Sequence, residues 1–587
     1  MGGTVEARPG TGAETVAELA LAMAEFEGAA LRFKEDGEWR DESFADLVAA
    51  ARRIAGGLID LGVERGDRVA IFSDTRPEWT RADLGAVLAG AVVVPIYQTA
   101  SAEEAEHVLG DSGATVVFAE NPDRLEVART AAEDLDIAHF VLFEGEAEGA
   151  IPLGDLRERG EAHAGDHVDA RTREIAPHDL FSLVYTSGTT GPPKGCRLSH
   201  ANICSDAAML EELAEFDDDV VLFMFLPLAH VLSRIAQFVT LDVGGTIAYW
   251  EGDREKAIEN LREIAPTHFP AVPRIFEKIW EEARKKAGGT VQEKVFEAAV
   301  EIGQKARDAE RDDDGAGALV RAGHALADKQ VLSKVRELFG GNLKFALTGA
   351  APVNKEMLEF FDACGVLILE GYGATETSAV ATVNAPGDYR FGTVGKPLPG
   401  TEVRIADDRD EEGRGEILIR GPHVFGGYHH LEEETREVLD DDGWFHTGDL
   451  GTIDDDGFVT VTGRAKEIIV TSSGKNITPT EIETRVAEGE GIAQAVVVGD
   501  DRPYLVALIE LDDDDPDPGD EAVREKVQEA VDAANAKVAR IEQVKKWAIL
   551  PRPLSQEKGE LTPTMKIKRE KVAESFAETI DGLYEDA

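Results

Sequence analysis

Apolar residues recur along this chain at two spacings, and the two alternate. From Phe44 to Leu61 they fall three and four positions apart, which predicts a helix ending near Gly62. Val69 to Phe72 is a short unbroken apolar run and is predicted as a strand. Glu78 to Leu88 then reads as a helix, Ala91 to Tyr97 as a strand, Ala102 to Leu109 as a helix and Ala114 to Ala119 as a strand. Helices alternating with short apolar strands predict a parallel sheet covered on both faces. The strand signal returns at Leu180 to Tyr185. It returns again as a set: strand Lys344 to Thr348, helix Asn354 to Ala363, strand Val366 to Glu370. Between these, Val220 to Leu226 is an apolar run that ends at Pro227-Leu228-Ala229-His230. Pro270 to Lys278 opens an amphipathic helix, and Ile279 to Phe339 is highly charged at helical spacing, as in a solvated helical insertion.

Beyond Lys466 the pattern becomes a compact α+β one. Glu467 to Val470 is a predicted strand and Ser473-Gly474-Lys475 a tight turn. Thr478-Pro479-Thr480-Glu481 reads as a capping box with proline at the first helical position. Ala495 to Val498 and Tyr504 to Leu511 pair as a hairpin, Asp512 to Asp520 forms an acidic turn, and a helix runs on to about Glu542.

Composition changes this picture in three ways. At 587 residues the chain exceeds one ordinary core, so two or more domains are expected. The formal net charge is −53, with aspartate runs at 217–219, 312–314, 440–442, 454–456 and 512–515 that read as solvated turns. Such self-repulsion is screened when the Debye length falls to about 3 Å near 1 M salt, which points to a halophilic cytoplasm. No basic stripe is present, so nucleic-acid binding is disfavoured. The three cysteines, Cys196, Cys204 and Cys364, show neither a C-x-x-C spacing nor an even count, so no disulfide frame or zinc site is expected. The N-terminus lacks a basic region and an apolar core, which argues against a secretory signal. The longest apolar run, Leu84 to Val94, stops at Pro95 and is too short to span a bilayer.

The chemistry concentrates at Thr186-Ser187-Gly188-Thr189-Thr190-Gly191-Pro192-Pro193-Lys194-Gly195, directly after a predicted strand. Gly188 and Gly191 let backbone N–H groups approach an anion, the hydroxyls add donors, and Lys194 adds a point charge, so the loop is a phosphate cradle. It is not a Walker A loop, because Lys194 is followed by Gly195 rather than Ser or Thr. Two later strand ends, Thr348-Gly349-Ala350-Ala351-Pro352 and Glu370-Gly371-Tyr372-Gly373-Ala374-Thr375-Glu376, are placed where ligands bind in open parallel sheets. Gly349 and Ala350 leave room for a flat purine, and Tyr372 offers a ring to stack on it. In Gly443-Trp444-Phe445-His446-Thr447-Gly448-Asp449, the Asp449 carboxylate suits two ribose hydroxyls, and Arg464 after Gly463 adds a ribose or phosphate contact.

These strings resemble the AMP-forming acyl-adenylate synthetases, and the likeness runs from about Phe44 to Arg569. The resemblance implies an α/β fold: a large N-terminal domain, 1–464, with parallel-rich sheets flanked by helices, plus a small mobile α+β C-terminal domain, 465–587, hinged at Lys466. It implies ATP, Mg²⁺ and coenzyme A as cofactors and substrates, with Glu376 a metal ligand and Thr186 completing the shell. It places Ser187, Gly188, Thr189, Thr190, Gly191, Lys194, Gly349, Ala350, Gly371, Tyr372, Gly373, Thr375, Asp449 and Arg464 on the nucleotide. His230 borders the acyl pocket, and Lys566, in Gly559-Glu560-Leu561-Thr562-Pro563-Thr564-Met565-Lys566, aligns with the mobile catalytic lysine. The turn around Gly474 approaches when CoA reacts. Thr564-Met565 stands where the commoner form has Ser-Gly, as in long-chain members, and Pro270 to Lys278 resembles the Val-Pro-Arg element of long-chain fatty acyl-CoA synthetases. Gly373 replaces a bulky Trp of acetate-type members, which leaves space for a longer acyl chain. The expected reaction is activation of a fatty, long-chain acid to acyl-AMP and then acyl-CoA. Transfer to a separate carrier protein, or a medium-chain or aryl acid, are the alternatives, and peripheral membrane contact and a homo-oligomer stay open.

Overall fold

The computed structural model describes residues 10–186, 192–214, 216, 218–287, 290–311, 317–351, 353–410, 413–472, 475–512, 519–562 and 565–585. Two large sheets carry the first part of the chain. One has seven strands in the order Ile151–Pro152, His139–Leu142, Ala114–Ala119, Arg68–Phe72, Val92–Ile96, Leu180–Thr186, Lys194–Ser199, parallel except for the last. The alternation from Phe44 to Ala119 is thus a parallel sheet with helices, as the pattern predicts. The Ala102–Ser112 helix shows how local sequence sets an element. Ser101 and Glu104 form a reciprocal capping box at its start, and Gly113 ends it at φ +61°.

The second sheet has nine strands. Its centre is parallel, from Ile368–Tyr372 through Phe345–Thr348, His268–Ala271, Val221–Met224 and Thr246–Tyr249 to Ala29–Glu35, and its edges are antiparallel. Pro270 belongs to this sheet and not to a helix. The amphipathic helix begins only at Pro273, because Pro270 and Ala271 register with Leu347 and Thr348. The charged stretch that follows is a set of helices, Pro273–Ala287, Thr290–Arg311, Ala318–Ala327 and Ser333–Glu337, with one π-helical turn at Asp328–Leu332.

An antiparallel sheet of four strands follows: Glu402–Ile405, Gly415–Arg420, Phe445–Ile453 and Val459–Arg464. The last part of the chain has its own three-stranded sheet, Ile492–Val498, Leu505–Leu511 and Val544–Ile549, with a core of Val486, Val497, Leu505, Ala507, Ile509 and Val531. The predicted hairpin of the first two strands is present. Three local expectations fail there. Glu467 to Val470 is a 3₁₀ turn, Ala465–Glu467, followed by a strand of only Ile469–Val470. The Pro479–Ala487 helix has proline at its start, but Thr478 makes no side-chain cap bond; Glu481 pairs instead with Arg485 one turn on, at 2.8 Å. The long helix stops at Ala536 rather than near Glu542, because Asn535 turns to bond the backbone of Val544 through both its amide nitrogen and its oxygen. Residues 513–518 of the acidic turn lie outside the described residues.

Candidate active site

The phosphate-loop string is a hairpin connection. Leu180–Thr186 enters it, and Lys194–Ser199 leaves it antiparallel, with Thr186 opposite Lys194 and Tyr185 opposite Gly195. A Cβ on Gly195 would lie 3.0 Å from the Tyr185 ring, so any larger residue after Lys194 would press on that ring. Ser187, Gly188, Thr189, Thr190 and Gly191, and also Gly474, lie outside the described residues.

The Lys194–Ser199 strand is continued by the segment around Gly427, where Arg197 N bonds Gly427 O at 3.0 Å and His429 N bonds Gly195 O at 2.8 Å. This pairing delivers Tyr428, which sequence reasoning missed. Its hydroxyl donates to Glu376 Oε1 at 2.7 Å, and the Lys194 ammonium stands 5.0 Å from its ring centroid. The only sequence signal was the Gly426-Gly427 pair before it; Gly427 has φ +104°. Tyr428 thus joins the phosphate loop to the Thr375–Thr377 turn that carries Glu376.

Phe345–Thr348 and Ile368–Tyr372 end side by side, with Thr348 opposite Glu370. A Cβ on Gly349 would come 2.9 Å from Gly371 O, so the two strand ends approach closely only because Gly349 is bare. Ala350, Ser378 and Ala379 take left-handed backbone at φ +69°, +55° and +131°. Strain of this kind collects at functional sites. Gly373 has a different meaning from the one expected. A Cβ there would lie 2.2 Å from Ala379 O, so glycine serves this turn and does not by itself open room for an acyl chain.

Asp449 and Arg464 are cross-strand partners on Phe445–Ile453 and Val459–Arg464. Arg464 Nε donates to Asp449 Oδ1 at 2.6 Å, and Tyr372 Oη donates to Oδ2 at 2.6 Å. Asp449 is buried. Burial, and then the Asp449 carboxylate, push the Tyr372 phenol far above its ordinary range. Each Asp449 oxygen keeps a further lone pair for a sugar hydroxyl.

Lys566 reaches this cluster from the C-terminal sheet unit. Its loop is closed by the bridge Leu561↔Ile567 and by Lys566 N to Thr562 Oγ1 at 3.0 Å. Met565 before it sits at φ +64°, a conformation that glycine adopts at lower cost. The side chain is open to water. The protein around it, and then Arg464, hold its ammonium below the usual lysine range, opposed by Asp449, Glu376 and Glu467. His230 is near enough to respond to the same lysine: burial, and then Lys566, lower its pKa to about 4. His230 also caps the Val231–Asp242 helix, its Nδ1 accepting from Leu232 N at 3.2 Å, which leaves the proton of the neutral ring on Nε2.

Glu376 is half-buried, and one of its oxygens is bound by Tyr428. Mg²⁺ takes one or two protein oxygens and completes its shell with phosphates and water, so this single carboxylate fits such an ion. Among the described residues no group of three or more His, Cys, Asp or Glu forms a self-sufficient metal cage.

A model of the AMP-binding enzyme family matches residues 22–429, and a model of the AMP-binding enzyme C-terminal domain matches residues 466–587. The chain is 39% identical over 573 residues to long-chain-fatty-acid–CoA ligase FadD15 of Mycobacterium tuberculosis, covering 94% of this chain and 93% of that protein. It is 33% identical over 608 residues to long-chain-fatty-acid–CoA ligase ACSBG1 of Bos taurus, covering 95% and 83%. Among solved structures it resembles the anthranilate CoA ligase AuaEII in complex with anthranoyl-AMP, with a TM-score of 0.74 at 21% identity over 97% of this chain and 98% of that one. It also resembles the adenylation domain of a carboxylate reductase from Mycobacterium chelonae, with a TM-score of 0.75 at 24% identity over 97% and 91%.

Proposed function

This chain belongs to the AMP-binding enzyme family, and from that premise we infer that it is a long-chain fatty acid–CoA ligase that forms acyl-AMP and then acyl-CoA. The observation that most supports this reading is the arrival of Lys566, from the C-terminal unit, within electrostatic reach of Arg464, Asp449 and Glu376. Asp449 and Arg464 lie on neighbouring strands of the four-stranded sheet, and Glu376 on the Thr375–Thr377 turn, all in the other part of the chain.

In this reading 1–464 forms the large domain and 465–587 a lid turning about Lys466. The fatty carboxylate attacks the α-phosphorus of ATP, a new P–O bond forms, and pyrophosphate leaves. Lys566 carries the negative charge that builds around the α-phosphorus, and Lys194 and the loop from Thr186 to Gly191 hold the departing phosphates. Asp449 accepts the ribose hydroxyls, Arg464 steadies that carboxylate, and Tyr372 lies against the purine beside Gly349, Ala350, Gly371, Gly373 and Thr375. Glu376, with Thr186, would hold Mg²⁺, which supplies charge neutralisation on the pyrophosphate. His230, neutral at working pH, borders the acid. The lid then turns, Lys566 withdraws, the turn around Gly474 approaches, and the CoA thiol attacks the mixed anhydride with AMP leaving.

No helix among the described residues is long and apolar enough to cross a membrane. Together with the charge of −53 this supports a cytoplasmic enzyme adapted to high salt. The test is AMP release across acids from acetate to oleate, with and without CoA, at several salt concentrations. CoA-dependent release that rises toward long chains, and is lost in dilute buffer, is the expected outcome. A maximum at acetate or an aryl acid, or release indifferent to CoA, overturns the substrate assignment. Full activity and folding in low salt overturn the salt adaptation.

A further inference from the structure

The Ala102–Ser112 helix has no part in the reaction described above, yet two of its side chains reach the exit of the phosphate loop. His107 and Asp111 are one helical turn apart and share a face. The His107 Nε2 lies 2.7 Å from the carbonyl oxygen of Pro193. A carbonyl can only accept, so the ring carries its proton on Nε2 and donates. Asp111 Oδ2 accepts from the Tyr185 hydroxyl at 2.6 Å, and the Tyr185 ring stands edge-on to His107 at 6.1 Å between centroids. That same ring covers Gly195, the register partner of Tyr185. The residues on either side of Lys194 are therefore both fixed: Pro193 by His107 directly, and Gly195 by the Tyr185 ring that Asp111 orients.

We propose that His107 is a positioning residue for ATP binding, which holds Pro193 so that the Lys194 ammonium stays over Tyr428 and faces the phosphates. The proposal rests on the reading of Lys194 as a phosphate ligand. A glutamine side chain can offer an amide N–H from a similar reach, whereas alanine offers none.

The experiment compares full-length wild type, His107→Ala and His107→Gln in ATP–pyrophosphate exchange with a fatty acid. It is accompanied by thermal melts of each protein. His107→Ala is expected to raise the KM for ATP about five- to tenfold, the scale of one lost hydrogen bond. The KM for the fatty acid and the melting temperature should hold, and His107→Gln should recover most of the loss. An unchanged KM for ATP in His107→Ala overturns the proposal. So does a parallel rise in both KM values with a lowered melting temperature, or a His107→Gln variant as impaired as alanine. If wild type itself shows no exchange, it is the adenylation reading that fails.

Discussion

Asp449 and Arg464 face each other across two neighbouring strands, and Tyr372 closes on the same carboxylate from a third element. Lys566 stands on a loop whose own hydrogen bonds run back into itself, from Thr562 N to Lys566 O and from Met565 N to Thr562 O, both 2.8 Å. Among the described residues its ammonium makes no ion pair. The ribose-side cluster is held in a sheet ladder, whereas among the described residues no hydrogen bond or ion pair ties the Lys566 side chain to it. One explicit tie between the two parts of the chain is Arg274 with Asp512, at 2.6 Å and half-exposed, so it is weak and screened by salt.

The comparison breaks first at the lysine. Lys566→Ala should lower acyl-AMP formation by about a hundred- to a thousandfold, the range for removing one preorganised group that stabilises charge in the transition state. Thioester formation from preformed acyl-AMP should remain near wild type. Rapid-quench assays of each half-reaction check this, and equal losses in both would remove the distinction between cluster and loop.

Next in size is a cost confined to the fixed part. Glu370 sits within the Ile368–Tyr372 strand, is buried, and among the described residues its carboxyl accepts a single long bond of 3.3 Å from Gly392 N; burial raises its pKa from 4.5 to about 7. A carboxyl raised in the folded state is proton-bound there at pH values where the unfolded chain has already lost the proton. Stability is therefore fullest below pH 4.5 and is lost as pH rises through about 7. Glu370→Gln should match wild type near pH 4.5 and exceed it by up to ~3 kcal/mol at pH 9, measured by denaturant unfolding at constant salt. Parallel curves at all pH values would show that Glu370 ionises freely.

Asp449→Ala strips the carboxylate from Tyr372 and Arg464 together. The KM for ATP should rise about ten- to thirtyfold through lost charge-assisted bonds, with the KM for the acid held. An equal rise in both KM values would mean that the cluster shapes the whole cleft and not only its nucleotide side. The smallest expected effect is at Tyr428→Phe, which leaves Glu376 short of one donor. The Mg²⁺ concentration for half-maximal ATP binding should change by about fivefold, read by titration calorimetry, while the melting temperature stays put.

Much of this was legible in the linear chain. Alternating spacings gave the parallel sheets, and the strings ending in Lys194, Glu376, Asp449 and Lys566 gave the candidate site residues, because strand ends and glycine-rich turns are local features. What failed did so where a specific contact, rather than residue type and spacing, decides. Thr478 has the residues of a capping box, but Glu481 found Arg485. Gly373 is bare for the sake of Ala379 O. Pro270 looked like the start of a helix until the sheet registered it against Leu347.

The sequence by itself determined which residues could hold phosphate, sugar and purine, since those roles follow from side-chain chemistry and from backbone freedom within a few positions. Only the tertiary structure decided which of them act on one another. Tyr428 meets Glu376 across 52 positions, and His107 meets Pro193 across 86. Contacts of that separation are set by how sheets stack and strands register, and no short-range periodicity records them.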